Sequence, residues 1–104
     1  MKPIIYFFGG SFDPYHNDHH SIVLKIWEQI PDAEVWIAPS YNPWKGKGLL
    51  TLAQRIELIE LVYKNNPKVK VLKDGLPYTV DFVRKYSDDY QLVLSMGKDT
   101  FRSE

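Results

Sequence analysis

Short apolar runs alternate with amphipathic segments along the whole chain. The four runs that predict strands cover residues 3–8, 34–39, 68–72 and 91–96. Three segments with apolar residues at helical spacing predict helices, at about residues 19–30, at about 51–65 and after a capping Thr79. Pro31 closes the first of these segments, and Thr51 with Gln54 has the spacing of a capping box ahead of the second.

The resulting order β-α-β-α-β-α-β predicts an α/β fold with right-handed crossovers. We expect a Rossmann-like doubly wound parallel sheet with flanking helices and four strands in the order 3-2-1-4. Ligands bind such sheets beyond the carboxyl ends of the strands, where the strand order reverses. In this order the crevice lies between the first and fourth strands, whose exits read "GGSFDPYHNDHH" and "GKDTF". Both exits begin with glycine, which lets a ligand approach the backbone closely.

The length and composition indicate that residues 1–104 form one globular domain of ordinary composition. Hydrophobic residues make up 44% of the chain and charged residues 25%, and 13 basic residues balance 13 acidic ones. This neutral balance argues against a general nucleic-acid or membrane-surface binder. The absence of cysteine excludes disulfides, thiolate metal sites and thiol nucleophiles. No apolar run approaches the ~18 residues that span a bilayer and no leader is recognisable, so we expect a cytoplasmic protein.

Three histidines follow the first strand where a helix is predicted to begin. The first turn of a helix favours phosphate through its free N–H groups and its partial positive charge. His16 and His19 would add donors for such an anion, and positive charge when protonated. Two other interpretations stay open here. Ser11, Asp13 or Asp18 could cap the helix while the histidines lie in solvent. Alternatively, the two histidines and Asp18 could ligate a transition metal.

The stretch "GGSFDPYHNDHH" resembles the signature G-G-[ST]-F-D-P-x-H-x-G-H of the H-x-G-H nucleotidyltransferases. It is more specifically similar to nicotinate and nicotinamide mononucleotide adenylyltransferases. Later segments that resemble motifs of that family are "APSYNPWKGKG" with "AQRIELIEL", "PYTVDFV" and "SMGKDTF".

Two departures from the family pattern are visible. Asp18 stands where the signature has the glycine of H-x-G-H, and the chain reaches Glu104 without the family's I-S-[ST]-T-x-[IL]-R segment, which binds triphosphate. We therefore expect an N-terminal fragment that lacks the family's C-terminal portion, a domain completed from elsewhere, or a degenerate relative.

The resemblance implies transfer of the adenylyl group of ATP to nicotinamide or nicotinate mononucleotide, giving NAD or deamido-NAD and pyrophosphate. Mg²⁺ would enter with ATP, and no separate metal site in the protein is expected. By analogy with the family, His16 and His19 contact the phosphates in the transition state and are the expected catalytic residues. The expected ATP-binding residues are Gly9, Gly10, Ser11, Phe12, Lys45, Gly97 and Asp99. The residues expected to bind the mononucleotide are Trp44, Tyr78 and Thr79.

Alternatives remain for the residues and for the function. Lys45 could solubilise a loop, and Arg55, a further candidate for the triphosphate, could instead pair with Glu57 or Glu60 on a helix surface. The same fold could serve a phosphopantetheine or polyol-phosphate acceptor, or the chain could be a nucleotide-binding half-domain without turnover. A truncated sheet would expose an apolar edge, which favours a homo-oligomer.

Overall fold

The computed structural model describes residues 2–41, 50–96 and 100–101. Its strands and helices are β1 (Ile4–Gly10), α1 (Asn17–Gln29), β2 (Val35–Pro39), α2 (Leu52–Val62), β3 (Val69–Val71), α3 (Thr79–Tyr86), β4 (Gln91–Met96) and β5 (Thr100–Phe101). All four predicted strands and all three predicted helices are present. The sequence does not predict β5, because two residues are too few to show a strand periodicity. No helix within the described ranges combines the length and the apolar character that crossing a membrane requires.

β1 lies at the centre of a sheet with the order β3-β2-β1-β4-β5. The first four of these strands are parallel, and β5 runs antiparallel to β4. This arrangement confirms the expected order 3-2-1-4 of a Rossmann-like α/β fold, and the order reverses between β1 and β4. Gly9 lies opposite Ala38 and Gly10 opposite Pro39. The loops after β1 and β2 therefore start side by side at the carboxyl edge of the sheet.

Alternating side chains of β1 build a core on each face of the sheet. Phe8 packs on the face covered by α1 and α2, with the fully buried Ile26 and Ile59 of those helices. Phe7 points to the opposite face, where the ring of Phe82 in α3 lies 5.8 Å from its own. The predicted placement of helices on both faces is thereby confirmed.

Capping residues determine where α2 and α3 begin. Thr51 Oγ1 accepts a hydrogen bond from Gln54 N–H (3.1 Å), and Gln54 Oε1 accepts one from Thr51 N–H (2.9 Å), which confirms the predicted capping box. In α3, Thr79 is the first helical residue and Tyr78 is the N-cap. The predicted cap at Thr79 is therefore wrong by one residue. The hydrogen bond at this end of the helix runs from Tyr78 N–H to the carboxylate of Asp81 (3.1 Å).

Candidate functional site

Hydrogen bonds link the loops that follow β1 and β2 at the carboxyl edge of the sheet. Ser40 N–H donates to the carbonyl of Gly10 over 2.9 Å. Leu50 N–H, just ahead of α2, donates to Asp13 Oδ1 over 2.8 Å. The segment that carries the histidines is thus tied to both β2 and α2.

A buried arginine joins the same two loops. Only 6% of Arg55 is exposed, and its Nη1 donates to the carbonyls of Ser11 (2.7 Å) and Ser40 (2.8 Å). Hydrogen bonds from a charged donor are stronger than neutral ones. The alternative of a surface pair with Glu57 or Glu60 is therefore wrong, because the guanidinium turns inward to the backbone. α2, through this side chain, holds the exits of both strands.

Two histidines cap α1 with their side chains. His16 is the N-cap residue, and its Nδ1 accepts a hydrogen bond from Asp18 N–H over 3.2 Å. His19 Nδ1 in turn accepts one from His16 N–H over 3.0 Å. This is the reciprocal geometry of a capping box, built from two imidazoles. The interpretation in which Ser11, Asp13 or Asp18 caps α1 is wrong, and the helix begins two residues earlier than predicted.

These capping bonds fix which nitrogen of each ring carries the proton. A nitrogen that accepts a hydrogen bond has no proton of its own, so the proton of each neutral ring is on Nε2. The rings of His16 and His19 stack with their centroids 4.0 Å apart and 28° between their planes. The pair therefore provides two neighbouring Nε2–H donors at the positive end of the α1 dipole, which suits phosphate oxygens.

His19 is enclosed by aromatic rings. The ring of Tyr15 stacks on it at 5.1 Å, and the ring of Phe12 meets it edge-on at 5.0 Å. Burial lowers the pKa of His19 below its ordinary value, His16 lowers it further, and the Asp18 carboxylate opposes both effects. The lowered pKa of His19 favours the neutral ring, which the cap requires.

The lowered pKa of His19 predicts a loss of stability in mild acid. An unfolded chain protonates its histidines near pH ~6.5, whereas the folded protein resists protonation of His19 until a lower pH. The unfolded state therefore binds more protons as the pH falls below about 6.5, and the free energy of unfolding decreases until the folded pKa is passed. Unfolding measured between about pH 8 and about pH 5 checks this. The decrease should shrink in His19→Gln, and an equal decrease there would assign the effect to other groups.

The two glycines that end β1 make room for neighbouring side chains. A Cβ on Gly9 would lie 2.7 Å from Thr79 Oγ1, so glycine lets the first residue of α3 pack against the strand. A Cβ on Gly10 would lie 3.3 Å from the ring of Phe12. Phe12 is buried and has a φ of 54°, in the left-handed region that bulky residues rarely adopt. Gly9 and Thr79, which the sequence assigns to different ligands, are therefore direct neighbours.

The other predicted site residues divide into two groups. Ser11 and Tyr78 are exposed at the carboxyl edge of the sheet. The predicted site residues that lie outside the described residues are Trp44, Lys45, Gly97 and Asp99.

Within the part of the chain that the structure describes, no three His, Asp or Glu side chains are grouped so as to hold a metal ion, so the alternative metal site at the two histidines has no support there.

Two buried tyrosines beside the histidines are site residues that the sequence does not predict. The hydroxyls of Tyr15 and Tyr63 share a hydrogen bond, and Tyr63 Oη also meets His20 Nδ1 at 2.8 Å. Helical spacing places Tyr63 on the apolar face of α2. That spacing carries no sign of a partner 48 residues away.

The parallel order β3-β2-β1-β4, with helices on both faces and a histidine-capped helix after β1, defines a Rossmann-like α/β domain. The chain belongs to the cytidylyltransferase-like family, whose family model matches residues 7–104. The resemblance of the histidine segment to the nucleotidyltransferase signature is thereby confirmed at the level of the family.

Three of the curated proteins similar to the chain share one name. A probable nicotinate-nucleotide adenylyltransferase of Marinobacter nauticus is 31% identical over 92% of the chain. Proteins of the same name from Thermomicrobium roseum and Aliarcobacter butzleri are 31% and 33% identical over 89% and 88% of it. The chain spans about half the length of these relatives, namely 49%, 48% and 56%.

Proposed function

We propose that the protein transfers the adenylyl group of ATP to a pyridine mononucleotide. A phosphate oxygen of the acceptor attacks the α-phosphorus of ATP, and the bond from that phosphorus to the oxygen of the β-phosphate breaks. Pyrophosphate leaves with the electron pair. Nicotinate mononucleotide gives deamido-NAD in this reaction, and nicotinamide mononucleotide gives NAD. The names of the similar proteins favour nicotinate mononucleotide as the acceptor.

The observation that carries the proposal is the pair of His16 and His19 beside the switch point. Their rings stack, and their side chains form the capping box of α1. The acceptor phosphate is already an anion, so no general base is needed. Catalysis then consists of aligning two anions and stabilising the charge that develops on the phosphoryl oxygens and the leaving group. Two Nε2–H donors and the α1 dipole supply that stabilisation, and magnesium arrives bound to ATP as part of the substrate.

The remaining ligand contacts are assigned by analogy and by position. The β1 exit with Ser11 would lie under the nucleotide, and Thr79, which adjoins Gly9, would face the mononucleotide together with Tyr78. The residues whose contacts stay predictions on the sequence alone are Lys45, Gly97 and Asp99 for ATP and Trp44 for the mononucleotide.

Pyrophosphate release from Mg-ATP tests the proposal, with a reaction lacking acceptor as the control for ATP hydrolysis. We expect release that requires a pyridine mononucleotide, is faster with nicotinate mononucleotide than with nicotinamide mononucleotide, and is absent with phosphopantetheine or glycerol 3-phosphate. Strong release with either of the last two would contradict the assigned acceptor. ATP binding without release for any acceptor would contradict the transfer reaction and make the chain a nucleotide-binding half-domain.

A further inference from the structure

The orientation of His19 depends on the ring of Tyr15. Tyr15 immediately precedes the capping residue His16, and its ring stacks on His19 with 5.1 Å between centroids and 23° between planes. His19 stacks in turn with His16 at 4.0 Å. Whatever fixes Tyr15 therefore limits how far both imidazoles can tilt.

One hydroxyl group holds the residues on both sides of the histidine pair. Tyr63 Oη hydrogen bonds Tyr15 Oη, and it also meets His20 Nδ1 at 2.8 Å. Tyr15 precedes His16 in the chain, and His20 follows His19. A side chain at the end of α2 is thus bonded to both residues that flank the pair.

The protons of this network can be assigned. Burial raises the pKa of Tyr63 to about 12, although its hydrogen bond with Tyr15 lowers it, and burial raises the pKa of Tyr15 further above its ordinary value. Both phenols therefore keep their protons at neutral pH. Tyr15 can donate to Tyr63 while Tyr63 donates to His20 Nδ1, and each buried hydroxyl then has a partner. Turning either ring away would leave a buried polar group unsatisfied, which is costly.

Tyr63 is itself firmly placed. It is the C-cap residue of α2, and its N–H donates to the carbonyl of Ile59 over 3.2 Å. Its ring lies edge-on to Trp27 at 6.4 Å. The indole N–H of Trp27 donates to the carbonyl of Ala33 over 3.0 Å, so the ring that supports Tyr63 is also fixed.

We propose that Tyr63 is a positioning residue for the pair of His16 and His19. Through Tyr15 and His20, its hydroxyl holds the two imidazoles in the orientation that directs their Nε2–H groups to phosphate. The link to phosphate rests on the proposed function of the histidines. Tyr63 does not contact substrate in this role and acts through its neighbours.

The test compares Tyr63→Phe with Tyr86→Phe. Each variant removes one hydroxyl that bonds a side chain, since Tyr86 Oη donates to the carboxylate of Asp74, on the opposite face of the sheet from the histidines. NMR titration of the imidazole signals, on protein without ligand, follows His19. The titratable groups that face this ring are His16, Asp18 and the Tyr15 phenol.

In Tyr63→Phe we expect the titration midpoint of His19 to rise toward the ordinary value of ~6.5, because a loosened Tyr15 lets water reach the ring. Tyr86→Phe should leave the midpoint unchanged. In pyrophosphate release, Tyr63→Phe should lower kcat roughly tenfold or more and change KM for ATP by less than about threefold, while Tyr86→Phe changes neither.

Two outcomes would overturn the positioning role. One is an unchanged His19 titration in Tyr63→Phe, and the other is an equal shift in Tyr86→Phe, which would indicate general loosening. Absence of turnover in the unaltered protein would contradict the proposed function instead. The titration without ligand would still decide the role of Tyr63, because it needs no substrate.

Discussion

Replacing His16 by threonine and His19 by glutamine is expected to abolish nucleotidyl transfer while α1 stays folded. The two replacements copy a capping box that the chain already uses, since Thr51 and Gln54 cap α2 in the same reciprocal way. Oxygen atoms would take over the capping bonds of both Nδ1 atoms, and both Nε2–H donors would be lost. Loss of one donor to an oxygen that gains charge costs roughly 10²- to 10³-fold in kcat, so each single variant should show a loss of this size.

Pyrophosphate release and thermal unfolding, measured on the same preparations, check this expectation. The free energy of unfolding should change by less than about 1 kcal/mol, because a side chain suited to the N-cap is kept. Activity that survives both replacements would show that the histidines serve only as caps. If the double variant unfolds, His19→Gln alone decides the matter, because it leaves the N-cap His16 in place.

The four parallel strands are predictable because each carries its own signal. Apolar runs separated by helical segments favour right-handed crossovers, and with the expected order 3-2-1-4 the switch point lies next to β1. β5 escapes prediction because its two residues pair with β4 through local backbone geometry and show no side-chain pattern.

The start of α2 can be predicted from the capping preferences of residue types, whereas the start of α1 cannot. Thr51 and Gln54 belong to the residue types that commonly form capping boxes, so the start of α2 is visible in the sequence. Histidine is not among the preferred N-cap residues, so the sequence predicts a start of α1 that is two residues too late. The chemical pattern nevertheless points to the candidate site, because His16 and His19 follow the strand that borders the switch point.

Contacts between distant residues are the part of the site that the sequence does not reveal. Arg55 reaches a carbonyl 44 residues away, and its nearest charged neighbours in the chain, Glu57 and Glu60, suggested a surface ion pair instead. Both this contact and the hydrogen bond between Tyr15 and Tyr63 depend on how α2 packs against the sheet. Helical spacing identifies the buried face of α2, but it does not identify what that face meets.

Arg55→Met is expected to lower the free energy of unfolding by roughly 2 to 3 kcal/mol, because two charge-assisted hydrogen bonds are lost. Methionine fills much of the same space but has no N–H group, so the carbonyls of Ser11 and Ser40 would lose their donor. Arg55 Nε is buried and has no hydrogen-bond partner among the described residues, so removing the charge also recovers part of its desolvation cost. The loss of the two hydrogen bonds should outweigh this recovery, because both carbonyls accept from a single well-placed nitrogen, Arg55 Nη1.

Urea unfolding of Arg55→Met, with Arg84→Met as the matched control, tests this balance. Arg84 lies exposed on α3, and its replacement should change the free energy of unfolding by no more than about 0.5 kcal/mol. Because Arg55 joins the exits of β1 and β2, its loss should also speed hydrogen exchange at Ser40 N–H, which bonds the carbonyl of Gly10. An effect no larger than that of the control would mean that the loops are held without the guanidinium. A more stable variant would mean that burying the charge costs more than its two bonds return.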